Sequence, residues 1–408
     1  MTEKKASPVI RPNAFLYFTI GFLAGIYFRL FLRLKVDRSA IKGIKPPFFV
    51  VSGHTSWLDF LIVTIALYPR RMNYLAAYNF FRYPVLKSFL RLMGVIPKYQ
   101  FTNDSKAILK TKSVIGSGGI IAIFPHGCLS NEGRPGGFAA PSTAKLLKNF
   151  KIPVVAVQIN GGYLTRPRWT KRVHRGRIDT KVFRVFSTED LYALSVDDIY
   201  LKLLNAIDFN DYQWQRKNNV TFKGRHLAEG AELVLYKCPK CNEEFTLRSK
   251  ENKLFCLNCS NEAILSNKLF FEPGRQDSIV FDGFDNWYDF QKASLLMEIH
   301  EPDFKITTRT SLLWNEPGKS GYQKMGHGNL SLTRQAVTYE GVVFNNIETL
   351  HFDMKDIQMV PFAAGEYFEI ANGADIRRFI LNDVRMMMKW VLAIRLIRDE
   401  YYEKKMNL

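Results

Sequence analysis

Phe48-Phe49-Val50-Val51-Ser52-Gly53-His54-Thr55-Ser56-Trp57-Leu58-Asp59-Phe60-Leu61-Ile62-Val63 decides how this chain is read. Its first four residues are apolar without alternation, the pattern of a strand covered on both faces. Phe60 to Val63 open a second apolar run. Between them Thr55 or Ser56 can cap a helix that carries Asp59 in its first turn, leaving His54 in the loop. On one continuous helix, residues five apart point about 140° away from each other, so only a strand-to-helix turn lets His54 and Asp59 meet. A carboxylate on one ring nitrogen fixes the tautomer and leaves the other nitrogen to take a proton near neutral pH. On spacing alone such a pair is more often a structural contact.

The alternation continues outward. Asn73–Ala77 reads as a strand, Tyr83–Met93 as a helix and Val95–Ile96 as extended chain. Asp104 or Ser105 caps a helix to about Ile115, Gly118-Gly119 ends it, and Ile120–Phe124 is a buried strand. Ser142–Asn149 is helical and Pro153–Ile159 extended. This order predicts an α/β fold, a mostly parallel sheet flanked by helices. Ser195-Val196-Asp197-Asp198 resembles a capping box opening a helix to about Ile207. A polar bridge through Gln213, Arg216 and Lys217 follows, leading to a helix before a cysteine-rich stretch.

Four ordered blocks add a second signal: His54 with Asp59; Gly94-Val95-Ile96-Pro97-Lys98; Phe124-Pro125-His126-Gly127-Cys128-Leu129-Ser130; and Ile152-Pro153-Val154-Val155-Ala156-Val157. In type, order and spacing they resemble the glycerolipid acyltransferases, the 1-acylglycerol-3-phosphate acyltransferase family. The resemblance implies transfer of a fatty acyl group from a thioester co-substrate, acyl-CoA or acyl carrier protein, to the free hydroxyl of a lysophospholipid. The simplest case is lysophosphatidic acid to phosphatidic acid. It makes His54 the general base and Asp59 the residue that orients it. Ser56, Lys98, Phe124, Pro125, His126 and Gly127 fall on the substrate side, with backbone donors for the oxyanion around Gly127. Two positions depart from the family pattern: His126 stands for its Glu and Leu129 for its phosphate-binding Arg. Arg134, Arg166 and Arg168 are the cations that could replace it. The departures leave room for another lysolipid or a hydroxylated lipid, or for a non-catalytic lipid-binding scaffold. No redox cofactor is expected.

The net charge of +19 is uneven, since residues 1–110 hold 17 Lys and Arg against 4 Asp and Glu. Nucleic acid and an anionic membrane are the usual targets of such an excess. Here the basic residues flank an apolar segment, Ala14 to Leu32, whose only charge is Arg29. Lys4, Lys5 and Arg11 precede it and Arg33 and Lys35 follow, so the flanks give no orientation. The segment is long enough to span a bilayer or to lie in its interface. Membrane lipids are the expected partners, with the active site on the cytoplasmic face.

Cys238, Cys241, Cys256 and Cys259 form two Cys-x-x-Cys knuckles, the spacing of a zinc ribbon with a structural metal. Between them Lys240, Arg248, Lys250 and Lys253 nearly balance Glu243, Glu244 and Glu251, which argues against a nucleic-acid partner. Beyond Pro273 short alternating runs (Leu330–Leu332, Ala336–Tyr339, Thr349–Phe352, Tyr367–Ile370, Phe379–Leu381) precede a long helix, Val384–Tyr401, as in a pleckstrin-homology or GRAM-like barrel. Its partner would be a protein or a lipid. The expected divisions are a membrane-associating segment 1–45, an acyltransferase domain 46–232, a zinc ribbon 233–268 and a β-rich domain 269–408.

Overall fold

The computed structural model describes residues 11–99, 104–137, 139, 141–316, 321–357, 359–372 and 375–406. Lys4 and Lys5 of the basic flank lie outside them. Two compact units emerge, residues 1–167 with 173–223, and residues 168–172 with 224–408.

The first unit is built on two-sided burial. Its strands are β1 (Leu34–Asp37), β2 (Phe48–Ser52), β3 (Met72–Ala77), β4 (Ile96–Lys98), β5 (Ile120–Ile123), β6 (Val154–Asn160) and β7 (Ile178–Phe186). They form one sheet in the order β1-β7-β6-β2-β5-β3-β4. Neighbours run parallel except the antiparallel β6/β7 pair. The helices are α1 (Ala14–Phe31), α2 (Asp59–Leu67), α3 (Pro84–Leu92), α4 (Ser105–Gly116), α5 (Ser142–Phe150), α6 (Gly162–Thr165), α7 (Thr188–Ala193), α8 (Val196–Ile207) and α9 (Asp211–Asn218).

Successive side chains of a strand face opposite sides, and β2 uses both. Phe48 and Val50 pack with Ile120, Ala122 and Val155 under Phe28 of α1 and Ile62, Val63 and Ala66 of α2. Phe49 and Val51 pack with Ile121 and Ala156 under Val114 of α4, Leu147 of α5 and Leu203 of α8. That is why β2 and β5 carry apolar side chains at nearly every position rather than alternating.

Three local expectations are corrected. Neither Thr55 nor Ser56 caps α2; Leu58 holds that position without a side-chain bond, because both residues donate to Asp59 instead. The polar bridge is helix α9, capped by Asn210, and its buried residues are Asp211, Tyr212 and Gln215, which apolar periodicity does not reveal. Before the cysteines there is only a single 3₁₀ turn, Ala231–Leu233. Asp104 and the Ser195/Asp198 box do cap α4 and α8.

The second unit opens with β8 (Leu247–Lys250), β9 (Lys253–Cys256), β10 (Glu262–Leu265) and β11 (Phe271–Pro273), a sheet in the order β11-β10-β9-β8. Helix α10 (Phe284–His300) follows, unread in the sequence. Then come β12 (Ile306–Trp314), β13 (Gln323–Leu332), β14 (Ala336–Val343), β15 (Asn346–Asp353), β16 (Phe362–Ala363), β17 (Tyr367–Asn372), β18 (Asp375–Leu381) and α11 (Met387–Met406). These seven strands are antiparallel in the order β15-β14-β13-β12-β18-β17-β16. Phe368 stacks on Phe379 within the sheet and on Trp390 of α11, so the β-rich region closes on its final helix.

Candidate active site

His54 leaves the C-terminal end of β2, where parallel sheets gather their ligand-binding loops. Its Nδ1 lies 2.8 Å from Asp59 Oδ2. The same oxygen accepts the Ser56 N–H at 3.0 Å, while Oδ1 accepts Thr55 Oγ1 at 2.6 Å and Ser56 Oγ at 3.4 Å. Asp59 is wholly buried and His54 half-buried. Four donors repay the desolvation of this carboxylate. With an acceptor-only carboxylate on Nδ1, that nitrogen carries the ring proton and Nε2 is left basic.

The third block forms the wall behind the imidazole. The Phe124 ring stacks on His54 at 4.5 Å between centroids and runs nearly parallel to Tyr74. The Ser130 N–H donates to the His54 carbonyl at 3.0 Å, and Ser130 Oγ donates to the Arg134 carbonyl at 2.6 Å. The Gly127 N–H, expected among oxyanion donors, closes a turn onto the Phe124 carbonyl at 3.1 Å, with φ +64°. Pro125 is half-buried, and His126 and Leu129 are buried. Leu129 thus fills with hydrocarbon a position that the resemblance would make cationic.

Of the expected cations, Lys98 is exposed at the end of β4. Arg134 has its Nε 3.8 Å from Glu132 Oε1. Arg166 is half-buried, and its Nε has no hydrogen-bond partner among the described residues. Arg168 belongs to the second unit, where its guanidinium lies 4.1 Å from the Phe362 ring centroid and donates to that residue's carbonyl.

A residue that the sequence did not single out completes the surroundings. Asp211, wholly buried, accepts the N–H groups of Gly161 at 2.9 Å, Tyr163 at 2.8 Å and Leu164 at 3.3 Å. It thereby fixes the start of α6 against Thr55, the donor to Asp59. Burial pushes the Asp211 carboxyl up to about 7 against these three donors, with the charge of Asp59 adding to the rise. No local pattern ties Asp211 to a motif so far upstream; only its burial in a polar helix marks it.

In the second unit the thiols of Cys238, Cys241, Cys256 and Cys259 lie within 4.8 Å of one another. The Cys238–Cys259 and Cys241–Cys256 sulfur separations are 3.7 and 3.8 Å. A tetrahedron with ~2.3 Å metal–sulfur bonds has edges of about 3.8 Å, so the four could hold a metal such as zinc. Burial disfavours ionisation of Cys256, but donation from Thr246 and from the Cys259 and Asn258 backbones outweighs it and lowers its pKa to about 7. Burial raises the Cys238 thiol.

A mostly parallel sheet with one antiparallel pair, β6/β7, thus carries the His54/Asp59 loop. Residues 33–160 match the profile of the family described as Acyltransferase. That segment of the chain is thus similar to an acyltransferase domain. Among solved structures it is similar to the 1-acyl-sn-glycerophosphate (LPA) acyltransferase PlsC from Thermotoga maritima. That likeness covers 48% of this chain and 79% of that chain at 18% identity, with a TM-score of 0.39. A search of curated proteins finds no match.

Proposed function

We propose that this acyltransferase moves a fatty acyl group from a thioester, acyl-CoA or acyl carrier protein, to the free hydroxyl of a lysophospholipid, most simply lysophosphatidic acid. The observation that carries the reading is the His54–Asp59 pair, a base oriented by a buried, four-fold satisfied carboxylate. An alcohol is a poor nucleophile at neutral pH, so its proton must leave as it attacks. His54 Nε2 takes that proton, the hydroxyl oxygen bonds to the thioester carbonyl carbon, and the C–S bond breaks. The imidazolium then returns its proton to the departing thiolate. Lys98, Arg134 and Arg166 supply cationic character for the acceptor's phosphate.

His54→Ala, assayed on membranes with a lysolipid panel and mass-spectrometric product detection, should lose about 10²–10⁴-fold in rate. Equal turnover in variant and parent overturns the assignment of the base. A second acceptor class, another lysolipid or a hydroxylated lipid, draws support from buried Leu129 and from the proximity of Arg134 to Glu132; the same panel separates the two.

The reading places the enzyme on a membrane through α1, the one helix among the described residues long and apolar enough to cross a bilayer. Tyr17, Gly21, Gly25 and Phe28 form its buried stripe, while Phe15, Phe22, Leu23, Ile26 and Leu30 are exposed. The four cysteines would hold a structural zinc ion, since a site closed by four thiolates leaves no position for substrate. The seven-stranded sheet with its closing helix would serve as a pleckstrin-homology or GRAM-like module that docks a lipid or protein.

A further inference from the structure

We infer that α3 and the turn before it form a second membrane-contacting element, an interfacial amphipathic helix on anionic lipid that sets the His54/Asp59 loop at the bilayer surface. This rests on the membrane reading above and extends it to a part of the fold outside α1. Unusually for a helix in an α/β layer, α3 has no buried residue. Val85 is 87% exposed, and Phe89 and Leu92 are exposed beside it. At 3.6 residues per turn these three project within about 60° of one another. Lys87 and Arg91 stand on the other side of the helix, which gives the division expected of a helix lying in a lipid interface.

The apolar surface is continuous toward the site. The Asn13 N–H at the start of α1 donates to the Leu92 carbonyl at 2.8 Å, joining the two helices end to end. Phe80, in the turn Tyr78–Arg82 before α3, meets the Trp57 ring at 6.3 Å. Trp57 itself is half-exposed and lies between His54 and Asp59 in the chain. Charge selects the occupant. From Phe60 to Asn103 there is no Asp or Glu, while Arg70, Arg71, Arg82, Lys87, Arg91 and Lys98 are present. An apolar strip bordered by cations alone matches acyl chains beneath anionic headgroups. A lysolipid could then keep its tail in the bilayer while its hydroxyl reaches His54.

The test is hydrogen exchange of the full chain with and without vesicles of phosphatidylcholine containing phosphatidic acid. Protection of amides 84–92 together with 14–31 is the expected result. Val85→Asp/Leu92→Asp should abolish the protection over 84–92 and weaken vesicle partitioning about tenfold or more. Lys87→Glu/Arg91→Glu, which leaves the apolar residues in place, should weaken partitioning onto anionic vesicles and not onto pure phosphatidylcholine. Protection of 14–31 alone overturns the inference and leaves the membrane reading standing; protection of neither segment overturns both. Protection of 84–92 that grows with protein concentration without vesicles identifies a self-association surface and overturns the inference as well.

Discussion

Asp211 and Asp59 are wholly buried carboxylates of one unit whose charges oppose each other, and Asp211 bears the consequence. Burial, aided by Asp59, moves its pKa from 3.8 to about 7. Between those values the folded chain keeps a proton that the unfolded chain releases. The contribution of Asp211 to stability therefore falls as pH rises from about 4 to 7 and stays low above it. Asp211→Asn cannot ionise and removes this slope. Relative to the parent, the variant's unfolding free energy should improve by about 2–3 kcal/mol between pH 5 and pH 8. Urea unfolding of the first unit at both pH values measures it, and a parent–variant difference that does not change with pH refutes it.

Gly162 shows how closely α6 is fitted to the dyad. A Cβ there would stand 2.4 Å from Thr55 Oγ1 and 2.9 Å from Ile159 Cγ2. Gly162→Ala must displace Thr55 and lengthen its 2.6 Å bond to Asp59. We expect a stability loss of about 1–3 kcal/mol with a fall in turnover in the protein that remains folded. Thermal unfolding and acyl-transfer assays on the same preparation separate the two effects, and unchanged turnover would show that Thr55 does not support the site.

The central sheet was legible because β2 and β5 are buried on both faces, so their side chains say strand without any partner being known. The dyad was legible because His54 and Asp59 share one turn. What was missed is non-local or polar. Asp211 works through backbone N–H groups fifty residues upstream, and α9 buries Asp211 and Gln215 where periodicity looks for apolar side chains. In α10 the residues Asp285 and Gln291 are buried, which blurs the same signal.

Asp59→Asn keeps shape and removes the acceptor. An amide can offer N–H toward Nδ1, which favours the tautomer with Nδ1 bare and Nε2 protonated. The proposed base, His54 Nε2, is then blocked although the loop is intact. Turnover should fall about 10²–10⁴-fold with little change in the acceptor's KM. Steady-state kinetics at several acceptor concentrations check this, and a KM effect with normal turnover would instead make Asp59 a binding residue.

Removal of a metal held by the four cysteines should act on the second unit and not on the acyl-transfer step. Cys256 ends β9 and Cys259 follows it, while Cys238 and Cys241 precede β8, so one ion would tie the chain entering β8 to the chain leaving β9 at one end of this hairpin. Four short strands carry little apolar surface of their own, so such an ion would add to what holds them. Chelation or Cys256→Ser should release about one zinc per chain and raise hydrogen exchange over 247–265. Turnover by the His54-containing unit should persist over the time that exchange rises. If chelation stops turnover at once while amides 247–265 stay protected, the ion is doing chemistry rather than holding the fold.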